Sequence, residues 1–228
     1  MSNDRLQKDD FIQDEGDAWF RRNRAQLGAP SEMRAAFAAR VAANLGGVRS
    51  SVLEIGAAEG ANLALLQSLA DIEAHGIEPS AHAVEAGSLL HPSIHLRTGT
   101  ADELPYERAS FDVVWFGFCL YLVDRDLLFR AVAEADRVLR SGGLLVIVDF
   151  DPDGPSRRHY HHRPGIWSYK MDHSRLFLAN PAYRLVDKLS ASHQGVGWVE
   201  DPQERLALWL CRKDTANAYA VYLGDLGG

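Results

Sequence analysis

The sequence predicts a single α/β domain built on a parallel sheet with helices on both faces. Three observations carry this. A chain of 228 residues suits one compact domain with attachments. Between residues 50 and 150, short apolar runs bounded by Gly, Pro, Asp or Ser alternate with helix-like stretches. The runs are dense in Val, Ile, Leu and Phe, as strands covered on both sides must be.

In chain order, the Ala-rich stretch 31–45 reads as a leading helix, with Ser31 as N-cap and Gly46-Gly47 as terminator. Strands follow at 51–55, 72–77, 94–98, 111–115 and 144–150. The clearest helices between them are 62–69 and 126–139. The latter sets Leu128, Val132, Ala135 and Leu139 on one face before the Ser141-Gly142-Gly143 stop. Residues 151–164 are rich in Pro, Gly, Arg and His and read as a long connection leaving the carboxyl end of a strand, where open α/β sheets bind ligands. Two more strands are expected at 183–189 and 205–212, and the tail after Asp214 has no assigned role.

Composition narrows the function. Hydrophobic residues make up 46% of the chain and charged residues 24%, and no apolar run approaches the roughly 20 residues that span a bilayer, so no membrane segment is expected. The polar, acidic start lacks the pattern of a secretory signal, which favours the cytoplasm. Cys119 and Cys211 stand far apart in apolar settings and read as two reduced thiols. A net charge of −7 argues against a protein built to grip a nucleic-acid backbone and favours a small-molecule substrate.

The stretch Val52-Leu53-Glu54-Ile55-Gly56-Ala57-Ala58-Glu59-Gly60 runs from a buried strand through a small-residue turn into a helix, so backbone can approach a ligand. Read as a dinucleotide fingerprint it lacks the second glycine, and Glu59 stands where a pyrophosphate would want bare amides. A ligand carrying an ammonium and a sulfonium would tolerate acids at Glu54 and Glu59. Standing alone, the loop is also compatible with an ordinary tight turn. Glu78, after the second strand, can accept from a ribose diol, and Asp102, after the third, from an adenine amino group.

In sequence, VLEIGAAEG, GIEPS, TGTADELPYERASFDVVWF and RVLRSGGLLVIVDF resemble the motifs of the class I S-adenosylmethionine-dependent methyltransferases, over about residues 50–150. The resemblance implies a Rossmann-like three-layer α/β/α sandwich with a mostly parallel, seven-stranded sheet whose last strand is antiparallel. It implies S-adenosylmethionine as cofactor, with Glu54, Gly56 and Gly60 at the methionine portion, Glu78 at the ribose, and Asp102 with Ala101 at the adenine. Ala57, Pro79, Glu103 and Phe118 complete the implied cofactor set. The middle glycine of the usual G-x-G-x-G is Ala58 here. The chain then divides into an N-terminal helical lid and leading helix (1–47), a cofactor-binding core (48–150), an acceptor-side insertion with the last strands (151–213) and a tail (214–228).

A hydroxyl acceptor must lose a proton as it attacks, so a positioned base helps, whereas a carboxylate or neutral amine needs none. Asp149 and Asp151 end the fifth strand, and His159, Tyr160, His161 and His162 follow it; Asp149, His161 and His162 are the catalytic candidates. Arg157, Arg158, Arg163 and Lys170 make this the most basic stretch, which suits an anionic or sugar-like small-molecule acceptor. A solvated His- and Arg-rich surface is the competing reading. The histidines lack a carboxylate at metal-site spacing, so no metal is expected there. Residues 9–30 read either as a lid over the cofactor or as an amphipathic packing helix. The DEGDAWFRRNR and YHHRPG stretches are similar to methyltransferases associated with surface glycans. A nicotinamide-dependent oxidoreductase and a cofactor-binding protein without its own turnover are the alternatives, RNA methylation a weaker one; the first lacks both the glycine fingerprint and a Tyr-x-x-x-Lys pair in a suitable helix.

Overall fold

The computed structural model describes residues 5–219. The end of the predicted tail and the first four residues of the N-terminal segment 1–47 lie outside them. The chain opens with a nearly continuous helix: α1 (Gln7–Asp10), a π-helical turn (Phe11–Glu15) and α2 (Gly16–Gly28). Next come α3 (Glu32–Ala42), β1 (Ser50–Ile55), α4 (Ala61–Gln67), β2 (Ile72–Glu78), α5 (Ala81–Leu90), β3 (Ile94–Thr98) and β4 (Phe111–Gly117). A 3-10 turn (Leu120–Leu122), α6 (Leu128–Val138) and β5 (Leu139–Phe150) complete the predicted core. The C-terminal part holds β6 (Ser156–His159), β7 (Trp167–Lys170), α7 (Ser174–Leu178), β8 (Tyr183–Ser192), β9 (Gly195–Val196) and β10 (Leu206–Lys213).

The sheet has eight strands in the order β3-β2-β1-β4-β5-β10-β8-β9. Pairing is parallel from β3 to β5, and β10 inserts antiparallel between β5 and β8. The expected antiparallel last strand is therefore present, but there are eight strands, not seven. The extra one, β9, is two residues folded back on β8, too short to leave a periodic signal. The 151–164 stretch also differs from the expected irregular connection, because β6 and β7 form a separate hairpin. All four residues of β6 are exposed, so no apolar alternation announces it.

Side-chain alternation sorts the core strands between two apolar layers. Val52, Val113, Trp115, Leu144 and Val146 meet Phe37 and Val41 of α3 and Leu63 and Leu66 of α4. Their neighbours Leu53, Val114, Phe116, Leu145 and Ile147 meet Ala131, Ala135 and Val138 of α6 and Phe177 of α7. Each such buried aliphatic or aromatic side chain contributes about 1.5–3 kcal/mol over its exposed state. The buried face of α6 is thus Leu128, Ala131, Ala135 and Val138, rotated slightly from the expected one, because alanines let the helix approach the sheet closely. At α3, the Ser31 hydroxyl accepts from the Arg34 amide, as a capping serine should. Cys119 and Cys211 are free thiols. Among the described residues, no helix is long and apolar enough to cross a membrane.

Strand order reverses between β1 and β4, and the crevice outside the carboxyl ends of these strands is where such sheets bind ligands. The N-terminal helix crosses this edge. The amides of Gln7 and Lys8 donate to the Asp124 carboxylate at 2.9 and 3.0 Å. Arg163 ion-pairs with Asp10 and Asp14, and the Tyr160 hydroxyl donates to Glu15 at 3.1 Å.

Candidate active site

The loop after β1 and the turn after β4 touch backbone to backbone. Gly56 has φ +78°, and a Cβ there would come within 2.8 Å of Cys119 Cβ. Ala58, at the position where a glycine is usual, is also left-handed, with φ +47°. That conformation costs a non-glycine residue about 1–2 kcal/mol. The Ala58 amide donates to Glu78 Oε2 at 3.0 Å, and the Ser80 amide donates to Glu78 Oε1 at 3.0 Å, so one carboxylate joins the first loop to the second. Burial pushes the Glu78 carboxyl up to about 7.

Glu54 is fully buried under the β1–β4 junction. Its Oε1 accepts from Asn62 Nδ2 at 2.7 Å, and its Oε2 has no partner among the described residues. Burial pushes it up to about 8. A Cβ on Gly117 would overlap Glu54 Oε1, so only glycine lets β4 pass over this carboxylate. Phe118 follows with φ +60°, and its ring packs on Tyr121 and Phe150 at centroid distances of 5.0 and 4.9 Å. A left-handed phenylalanine is strained backbone, and here it turns an aromatic face toward the crevice.

Two cavities adjoin at Trp19, Gly56, Gly117, Phe118 and Tyr121. The smaller, about 120 Å³, lies under the N-terminal helix and is lined by Glu78, Pro79, Ala101 and Asp102 with Phe11 and Trp19. Lys8 Nζ donates to Asp102 Oδ2 there at 2.7 Å. Burial raises the Asp102 carboxyl, but hydrogen bonds from Lys8 and Thr100 and the Lys8 charge outweigh it and hold it below its ordinary value. The larger cavity, about 830 Å³, is lined by Asn62, Phe150, Arg158, Tyr160, His161 and His162, and by His193 and Gln194 from the β8–β9 turn.

Of the cofactor residues expected from the sequence, Gly56, Glu78, Pro79, Ala101, Asp102 and Phe118 line the smaller cavity, and Gly56, Ala57 and Phe118 the larger. Glu54 lies directly behind the junction. Gly60, with φ +85°, caps α4, and Glu103 is exposed; neither lines a cavity. His161 and His162 line the larger cavity. Asp149 does not line either one. On β5 it shares the face of Leu145 and Ile147, whereas Val148 and Phe150 face the larger cavity. It is fully buried, accepts from the Tyr121 amide at 3.2 Å and the Phe150 amide at 2.7 Å, and is pushed by burial up to about 8. His173 Nδ1 stands 3.6 Å from it, and burial drives that imidazole down to about 3. Asp149 thus holds the Tyr121 turn from behind. Lys8, Asn62, Tyr121 and His193 escaped the sequence reading. Asn62, on the first turn after the glycine loop, could have been found; the others reach the site only through tertiary contacts.

Residues 53–147 match a family model described as a methyltransferase domain. That segment carries a methyltransferase domain on the fold of the class I S-adenosylmethionine-dependent enzymes. Solved structures share its fold. The 1,6-didemethyltoxoflavin-N1-methyltransferase of Burkholderia thailandensis, crystallised with that compound and S-adenosylhomocysteine, superposes with TM-score 0.65 at 18% identity, covering 91% of this chain and 87% of the other. A methyltransferase of Methanosarcina mazei gives 0.61 at 15% identity over 77% and 97% of the two chains. One of Thermotoga maritima, described as a possible histamine N-methyltransferase, gives 0.58 at 18% over 89% and 98%.

The residues present fit the cofactor. Glu54 offers an unpartnered carboxylate oxygen behind a glycine-lined junction, and Glu78 retains lone pairs beyond the two amides it accepts. Substituting Gly117 by alanine is expected to displace Glu54 and weaken cofactor binding by at least about tenfold, measured by titration calorimetry with S-adenosylhomocysteine. Unchanged affinity would remove Glu54 from the site.

Proposed function

We propose that this methyltransferase acts on a small-molecule acceptor bound in the larger cavity, with the adenosine part of the cofactor in the smaller one and the methyl at their junction. The observation that carries this is the meeting of the two cavities at Gly56, Phe118 and Tyr121, below a rim bearing Arg158, His161 and His162. Glu54 and the Gly56 backbone hold the methionine portion, Glu78 the ribose hydroxyls and Asp102 the adenine amino group. The cofactor supplies an electrophilic methyl on a cationic sulfur.

The protein's contribution is alignment, bringing the acceptor atom within about 3–3.5 Å of that methyl. The rim suits an anionic metabolite or a sugar bearing an anionic group. For a hydroxyl acceptor, the imidazole of His161 or His162 takes the proton, an effect of roughly 10²–10⁴ in rate. The helix from Gln7 to Gly28 acts as a lid, tied down through Asp124, Arg163 and Tyr160. Its bonds to the 156–170 hairpin join the cover of the cofactor cavity to the rim of the acceptor cavity.

Parallel calorimetric titrations with S-adenosylmethionine, S-adenosylhomocysteine and NAD are expected to show micromolar binding of the first two and none of the third. An acceptor screen starting with anionic sugars and metabolites follows. With an acceptor in hand, His161→Ala or His162→Ala should lower turnover more than cofactor affinity. Wild-type rates for both variants would return the loop to a solvated surface.

A further inference from the structure

A second cluster of ligating side chains lies toward the other end of the strands. Glu73 and His75 are two residues apart on β2 and therefore share a face. His95 on β3 is the in-register parallel partner of His75, so it projects from that face as well. One donor atom from each lies within 4.8 Å of the others, the one such trio among the described residues. His75 Nε2 and Glu73 Oε1 stand 3.2 Å apart, and the two imidazole rings are 4.9 Å apart between centroids.

With bonds of roughly 2.0–2.2 Å in tetrahedral geometry, two ligand atoms on one zinc ion are about 3.3 Å apart. The Glu73–His75 pair already has that spacing. His95 is exposed on the edge strand and closes the set by side-chain rotation alone. The His75 ring is backed edge-on by Tyr106 at 5.8 Å and Phe111 at 5.3 Å, which fixes its plane. The cationic neighbours, Arg49 at 3.7 Å from Glu73 and Arg97 on β3, are exposed and free to swing away.

We infer that Glu73, His75 and His95 form a binding site for a zinc-class divalent ion that clamps β2 to the edge strand β3. Two imidazoles and one carboxylate select zinc, nickel or copper over magnesium or calcium, and leave a fourth position for water. Glu78 lies three residues beyond His75 on β2, about 10 Å along the strand, so the ion is apart from the methyl-transfer chemistry and acts on strand cohesion.

The test is titration of the full-length, chelator-treated protein with Zn²⁺, and with Co²⁺ as a spectroscopic reporter. One equivalent is expected to bind, with the visible absorption of tetrahedral cobalt and a zinc-dependent rise in Tm. His95→Ala and Glu73→Gln, both surface changes, should each weaken zinc binding by at least about tenfold and remove the rise in Tm, while S-adenosylhomocysteine affinity stays the same. A His161→Ala/His162→Ala double variant should keep the zinc affinity. The inference is overturned if the wild type binds no zinc, if both site variants bind within about twofold of wild type, or if binding disappears with the His161/His162 pair.

Discussion

Glu78→Ala is expected to weaken S-adenosylhomocysteine binding by roughly ten- to a hundredfold and also to lower the stability of the unliganded protein. Both follow from one carboxylate performing two tasks. Toward the protein it accepts from the Ala58 and Ser80 amides, and it is 7% exposed, so water cannot readily replace it. An unsatisfied buried donor costs about 1–3 kcal/mol, and Ala58 loses the bond that holds its left-handed conformation. For a domain of this size each kcal/mol shifts Tm by about 2–4 °C, so a fall of roughly 4–8 °C is expected in calorimetric melting. Toward the ligand, the role proposed for the same carboxylate is to accept the ribose hydroxyls. Asp102→Ala provides the contrast: its partner, Lys8, is partly exposed, so water can solvate the ammonium that the substitution leaves behind. Cofactor affinity should fall by about 1–3 kcal/mol there while Tm falls less than in Glu78→Ala. A Glu78→Ala protein with wild-type affinity and wild-type Tm would refute both assignments.

Stability of the unliganded protein should decline as pH rises from about 5 to 8. In an unfolded chain, Asp and Glu lose their protons near 3.9 and 4.3. In the fold, burial pushes Glu54 and Asp149 up to about 8 and Glu78 up to about 7. Between these limits the folded state holds protons that the unfolded chain has released, so unfolding becomes easier with each pH step and levels off above the folded values. The slope reaches at most about 1.4 kcal/mol per pH unit for each such group. Asp17, Asp102, Asp112 and Glu134 are held below their ordinary values and act oppositely, contributing stability that is lost as pH falls through the acid range. A Tm maximum near pH 5 is therefore expected, with a loss of several degrees toward pH 8. In the proposed binding mode the cofactor's ammonium would favour the Glu54 carboxylate, so cofactor binding should release a proton and tighten between pH 6 and 8. Glu54→Gln should flatten both profiles. A wild-type Tm that stays level from pH 5 to 8 would contradict the buried-acid account.

The glycine loop, the acid after β2 and the acid after β3 were legible as motifs at strand ends, and the fold sets Gly56, Glu78 and Asp102 on one cavity. The stretch that brings His161 and His162 to the larger cavity was legible as a composition change. Asp149 read as an acceptor-side residue because it ends a strand, but alternation turns it to the α6–α7 face behind the site. Glu103 stood beside Asp102 in the motif, yet its side chain points to solvent.

Local sequence determined the parallel core, because the period of apolar residues and the Gly, Ser and Pro breaks act over a few residues and record the strand, helix or turn directly. It also determined the cofactor class, through motifs that sit at successive strand ends. Tertiary structure alone decided that Lys8 reaches Asp102, that the Gln7–Gly28 helix is bonded to the 156–170 hairpin, and that His193 faces Phe118 across the larger cavity. These contacts join residues 75 to 145 positions apart. They depend on the order of strands in the sheet and on which face each side chain takes, and no local pattern carries either.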